Sequence, residues 1–174
     1  MLEALISNKT RIKLIIRFFI NPNVRSYLRE LGREFSESSN AVRLELNRFE
    51  EAGLIISEKV GNKKYYRANQ NYPLFKELQQ ISMKHFGLDQ VIENVIDKLG
   101  HVNKVYLLGK LANGLQSNII DLAIVTSDID RSYLMELTEL AEITIEKKIR
   151  CLILEQDELS LLPEPRMLIY ESGK

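Results

Sequence analysis

The 174-residue chain is long enough for one ordinary domain or two small ones, and its 45% hydrophobic and 28% charged residues suit a globular protein. No apolar run reaches the roughly 20 residues that span a bilayer, and cations interrupt the N-terminal stretch "MLEALISNKTRIKLIIRFFI" too often for a signal peptide, so a cytoplasmic protein with no membrane partner is expected. The zero net charge hides a split, 13 Lys and Arg against 8 Asp and Glu in residues 1–70 but 11 against 16 in residues 71–174, which suggests a basic module facing a polyanion and an acidic module with another task. The single cysteine, Cys151, excludes an internal disulfide and any cysteine-based zinc cluster, and no metal or cofactor is expected.

Between Asn8 and Ile20, the apolar residues Ile12, Leu14, Ile15, Ile16, Phe18 and Phe19 suit a mostly buried helix. "NPN" at 21–23 stops it, because Pro22 cannot continue the hydrogen-bond ladder. Ser26 reads as the N-cap of a short helix from Tyr27 to Phe35, with Leu28, Leu31 and Phe35 on one face. "SESS" at 36–39 turns the chain into a second helix, Asn40 to Ala52, whose Val42, Leu46 and Phe49 form a stripe and whose end is marked by Gly53. The segment 54–60 reads as a strand, "GNKK" at 61–64 as a glycine turn with two lysines, and 65–68 as the returning strand. Two short helices joined by a tight turn and followed by a basic hairpin make a winged helix-turn-helix.

Ser38, Ser39, Asn40, Arg43, Leu44 and Asn47 fall off the apolar stripe and face outward. The N-terminal part of such a helix enters the major groove of double-stranded DNA. There Arg43 can fork onto guanine, and Asn40 or Asn47 onto adenine, while Ser38 and Ser39 suit phosphate at the helix N-terminus. Asn62, Lys63 and Lys64 sit at the wing tip, within reach of backbone or minor groove. For any one of these residues alone an ordinary solvated polar group is the better reading, the constellation together favours DNA, and Leu44 can read no base feature except a thymine methyl. The stretch "AVRLELNRFEEAGLIISEKVGNKKYYRAN" resembles the ArsR-like winged-helix transcription regulators over roughly residues 8 to 70. Many of those regulators sense metals through paired Cys or His, and residues 1–70 have neither, so metal sensing is not expected.

Residues 71–100 hold two amphipathic segments around Gly87. Leu74, Leu78, Ile81 and His85 line the first, and Leu88, Val91, Ile92, Val95 and Leu99 the second. This connector is expected to pair two copies, giving a homodimer matched to a two-fold DNA site, or else to pack only on its own domain.

From residue 101 strands and helices alternate: "KVYLLG" and "IDLAIVT" as strands, Ser132 to Lys148 as a helix, "IRCLILE" as a strand, "DELSLL" as a helical turn and "RMLIY" as a last strand. The order resembles a minimal nucleotidyltransferase domain. That resemblance implies Gly-Ser after the first strand to hold a nucleotide phosphate, and two aspartates one residue apart on the second strand to share Mg²⁺. Gly109, Ala112 and Gly114 match the frame, but Lys110 stands at the serine, Ile119 at the first aspartate and Asp121 alone at the second. Gly109, Lys110 and Asp121 are therefore read as a vestigial nucleotide site, with Asp121 a strand-start acid making local hydrogen bonds. "SDID" at 127–130 falls beyond the strand.

The expected architecture is α+β. It comprises a winged helix-turn-helix over 1–70, a helical connector over 71–100, and a small α/β nucleotidyltransferase-like domain, inactive, over 101–174. The whole resembles winged-helix regulators of bacteria and archaea fused to such a domain. It implies a sequence-specific DNA-binding regulator whose second domain serves assembly or senses a small-molecule or protein effector. The alternatives are a metal-dependent nucleotidyltransferase and an antitoxin-like protein-interaction module.

Overall fold

The computed structural model describes residues 2–173, which form an α+β chain in two compact units, the first running to His85 and the second starting at Phe86. In the first, α1 (Leu2–Leu5) and α2 (Lys9–Phe19) precede a two-residue strand β1 (Ser26–Tyr27), the helix pair α3 (Leu28–Phe35) and α4 (Ser39–Glu51), the hairpin β2 (Ile55–Val60) and β3 (Lys63–Ala68), and α5 (Phe75–Phe86). The three strands form one sheet in the order β1-β3-β2. Asn8 caps α2, its side chain accepting from the Arg11 N–H at 3.0 Å. Leu14, Phe18, Leu31, Val42, Leu46 and Ile55 fill the core, and Phe75 brings α5 against Phe19 with ring centroids 5.8 Å apart.

Ser26 does not cap α3. It lies in β1, fully buried, where its hydroxyl accepts from Arg17 Nε at 2.8 Å; Tyr27 stands at the N-cap position, and its N–H donates to Glu30 at 3.2 Å. The reason is burial: Arg17 is itself buried among Ser26 and Glu34, and a sequestered guanidinium claims the nearest hydroxyl. Ser38 caps α4 by accepting from the Ala41 N–H at 3.1 Å. At the other end the Gly53 N–H donates to Glu50 and the Leu54 N–H to Phe49, and Gly53 takes φ +74°. That is the pair of hydrogen bonds of a left-handed helix terminus, so the glycine aims the chain into the wing. The wing turns on two residues, Gly61 and Asn62, between the paired Val60 and Lys63, with Gly61 at φ +61° as a tight hairpin requires.

The second unit opens with a helical run: α6 (Leu88–Val91), a π-helical turn (Ile92–Ile96) and α7 (Asp97–Leu99). The strands β4 (Lys104–Leu108), β5 (Ile119–Val125), β6 (Lys148–Leu154) and β7 (Met167–Glu171) make a sheet ordered β6-β5-β4-β7. A short helix α8 (Gly109–Ala112) links β4 to its antiparallel neighbour β5, and α9 (Arg131–Ile145) carries the chain over to β6, parallel to β5. Asp130, the last residue of "SDID", caps α9 by accepting from the N–H groups of Ser132 and Tyr133. At the sheet edge, the Ile149 N–H of β6 donates to Glu142 at 2.7 Å, and Glu142 also meets Lys148 at 2.6 Å. The connector stretch 71–100 is thus divided, α5 belonging to the first unit and the helices from Leu88 onward to the second.

Candidate nucleic-acid interface

The orientation of α4 is set from behind. Val42, Leu46 and Phe49 enter the core, and beside them Glu45 is buried, only 2% exposed. Its carboxylate accepts from Asn8 Nδ2 at 3.2 Å, from Arg11 Nε at 2.8 Å and from Arg48. Burial pushes the Glu45 carboxyl up, but the bonds and charge of Arg11, then Arg48, outweigh it and hold the group below the usual carboxylate range. A helix pinned along that side must present the other, and Asn40, Arg43, Leu44 and Asn47 are exposed. Ser38 and Ser39 sit at its N-terminus, also exposed, with the Ser38 hydroxyl engaged in the cap.

Between α4, the start of α3 and the wing lies an open cleft of about 470 Å³ lined by Tyr27, Leu28, Arg29, Arg43, Asn47, Asn62, Lys63, Lys64 and Tyr66. Five of the predicted residues, Arg43, Asn47, Asn62, Lys63 and Lys64, are therefore brought to one place, while Ser38, Ser39 and Asn40 lie outside its lining. Four of the lining side chains are cationic and none is acidic. Such a concave, one-signed surface concentrates polyanions.

The two wing lysines differ. Both begin β3 instead of lying in the turn, which is Gly61-Asn62 alone, because β2 and β3 pair as far as Val60 and Lys63. Lys63 lies over the Tyr27 ring, Nζ 4.3 Å from its centroid, and Tyr27 packs edge-on against Tyr65 at 5.5 Å. Lys64 is bound to Glu50 of α4 at 2.7 Å, and Glu50 also takes the Ser57 hydroxyl. Hydrogen bonds from Lys64 and then Ser57 hold the Glu50 carboxyl below its usual range, and the same contact holds Lys64 up. The neutralised cation is thus Lys64, and the Glu50–Lys64 pair ties wing to helix.

In the second unit, Gly109 takes φ +64° directly after β4, and a Cβ there would lie 2.8 Å from Asp121 Oδ2. Asp121, third in β5 and paired across the sheet with Leu108 and Arg150, accepts from Arg150 Nε at 2.6 Å. Its bond is therefore not local: the partner comes from β6. Ile119, two residues earlier and so on the same face of β5, is part-exposed and apolar, and Lys110 is exposed on α8. The carboxylate is balanced by a guanidinium where the resemblance implies a metal. Among the described residues no group of three or more His, Cys, Asp or Glu is placed to hold a metal ion.

No protein-family profile and no curated protein matches the sequence. Among solved structures, the chain is similar to reduced HlyU from Vibrio cholerae, at 15% identity over 53% of this chain and 82% of that one, TM-score 0.36. It is similar to a protein of Archaeoglobus fulgidus at 17% identity, 54% and 99% coverage and TM-score 0.39. It is also similar to a candidate nucleotidyltransferase from Sulfolobus solfataricus at 20% identity, 55% and 86% coverage and TM-score 0.40.

Three residues of the interface escape a reading of the sequence. Arg29 falls off the Leu28, Leu31 and Phe35 stripe, which marks it as outward but not as facing Arg43. Glu45 and Glu50 look like ordinary surface acids of a helix, and only their partners on α2 and β3 reveal an anchor and a clamp. No helix among the described residues is long and apolar enough to cross a membrane.

Proposed function

We propose that the chain is a sequence-specific DNA-binding transcription regulator, with α4 in the major groove and the wing on the neighbouring backbone. The observation that carries this reading is the acid-free cleft joining Arg29, Arg43, Asn47 and Lys63 beside the exposed face of α4. Arg43 and Asn47 have the forked donors and acceptors that read guanine and adenine edges, and Asn40 joins them on the same face; Arg29 and Lys63 supply phosphate contacts, with Asn62 at the tip and Ser38 and Ser39 at the helix start. Leu74, just before α5, and Ile81, in its middle, remain exposed, and we assign that side to pairing of two copies. The second unit keeps a nucleotide-transfer frame without transfer chemistry, since Asp121 is committed to Arg150 and Ile119 offers no ligand. We assign it to assembly or to sensing an effector.

The test is selection of binding sites from a random duplex library by the full chain, followed by titration of the recovered duplex and a scrambled one. A preference of about a thousandfold or more at physiological salt supports the reading. Arg43→Ala should then cost about 1–3 kcal/mol on the selected duplex, and Lys63→Ala should flatten the salt slope by about one. Equal, salt-sensitive binding to both duplexes would overturn sequence-specific regulation.

A further inference from the structure

We propose that Leu44 is a specificity residue that reads the C5-methyl of a thymine in the major groove, beside the base pair contacted by Arg43. This rests on the DNA reading above and names what the helix recognises. Leu44 is 52% exposed, in the middle of the outward face of α4. With Val42, Leu46 and Phe49 directed into the core, a rotation of about 100° per residue sets Leu44 nearly opposite them. Asn40 lies one turn before it and Asn47 one turn after, both exposed.

A leucine in that place serves neither core nor solubility. It is also the one exposed large apolar residue of α4: among the described residues of this unit the others, Leu5, Ile56, Val60, Leu74 and Ile81, lie on α1, on β2, just before α5 and on α5. A protein-docking patch is contiguous, whereas a single apolar side chain framed by Asn40, Arg43 and Asn47 suits a single methyl framed by polar base edges. In the major groove the thymine methyl is the one apolar group a base pair presents. Leu44 can neither donate nor accept, so it discriminates by burying that methyl and by leaving unsatisfied any polar edge placed against it. The binding site therefore contains a thymine in the register set by Leu44, adjacent to the guanine read by Arg43.

The experiment uses the full chain and the duplex recovered by site selection, with each thymine replaced in turn by deoxyuridine, which removes only the methyl. One position in each half-site is expected to weaken binding about fourfold, the worth of one buried carbon group expressed as a binding ratio. In Leu44→Ala that difference should shrink toward unity, while deoxyuridine at other positions behaves as before. Leu44→Asn should exchange the preference at the same position for adenine. Circular dichroism spectra and melting curves of both variants control for folding. Deoxyuridine without effect at every position, or a deficit that persists unchanged in Leu44→Ala, would overturn the assignment while leaving the DNA reading intact. Unchanged DNA affinity in Leu44→Ala would also overturn it and would point to a protein partner. Failure to enrich any duplex would instead overturn the DNA reading, and this inference with it.

Discussion

Glu50 holds the wing cation Lys64, and if the wing meets DNA as proposed, Glu50→Gln should release that cation to phosphate. The substitution keeps the shape of the side chain and an acceptor for Ser57, but removes the charge that holds Lys64 at 2.7 Å. A cation newly placed on phosphate displaces about 0.9 of a counterion, so the slope of log K against log salt should steepen by about 0.9. Between about 50 and 200 mM salt, a fourfold change, the variant should lose about 3.5-fold more affinity than the wild type. Both partners are largely solvated, so the lost pair itself should cost at most about 1 kcal/mol of stability. Fluorescence anisotropy with a labelled random-sequence duplex suffices, because the effect is independent of sequence. Lys64→Ala should change the wild-type slope little, yet return the Glu50→Gln slope to the wild-type value. An unchanged or shallower slope in Glu50→Gln would show that Lys64 already contacts phosphate or never can, and would refute the clamp.

Gly109→Ala should destabilise the chain by about 1–2 kcal/mol from the left-handed backbone alone, with more from the overlap between the new Cβ and Asp121. Adding Asp121→Ala should return the overlap part and not the backbone part, as read by urea denaturation; additive effects of the two changes would contradict the contact. The carboxyls of Glu45 and Glu50 are held low, so the stability they contribute is present above their unfolded pKa and lost as pH falls through the folded value. Glu45→Gln should therefore be less stable than wild type near neutrality and converge on it between about pH 5 and pH 3, measured as urea midpoints at stepped pH. Parallel curves would remove Glu45 from the anchor. Neither the wild type nor Asp121→Asn should transfer label from any of the four nucleoside triphosphates with Mg²⁺ or Mn²⁺; transfer by the wild type that Asp121→Asn abolishes would establish the enzyme reading.

Periodicity made the elements legible. The Val42, Leu46 and Phe49 stripe and the Gly53 terminus define α4 to within a residue at each end, and "GNKK" locates the wing. What periodicity does not carry is who meets whom across the fold. Ser26 has the composition of a cap, but burial of Arg17 nine residues earlier decides its role. The Asp121–Arg150 contact depends on the parallel register of β5 and β6, which α9 imposes across 29 residues. Lys63 and Lys64 are neighbours in sequence, yet alternation along β3 sends one to Tyr27 and the other to Glu50. Arg43 and Asn47 could be named from the helix alone, whereas Arg29 needed the third dimension.

The Glu142 carboxylate on the Ile149 N–H bears on how the protein behaves in a crowd. A strand at the rim of a sheet is a template for any extended chain that drifts past, and β6 carries Leu152 and Ile153 along that rim. A newcomer aligning there must first evict a carboxylate from its donor, then tolerate that charge beside its own carbonyl oxygens. The helix that delivers the strand to the sheet thus also bars its entrance to strangers, and removing one oxygen pair at Glu142 should be felt first as turbidity on standing.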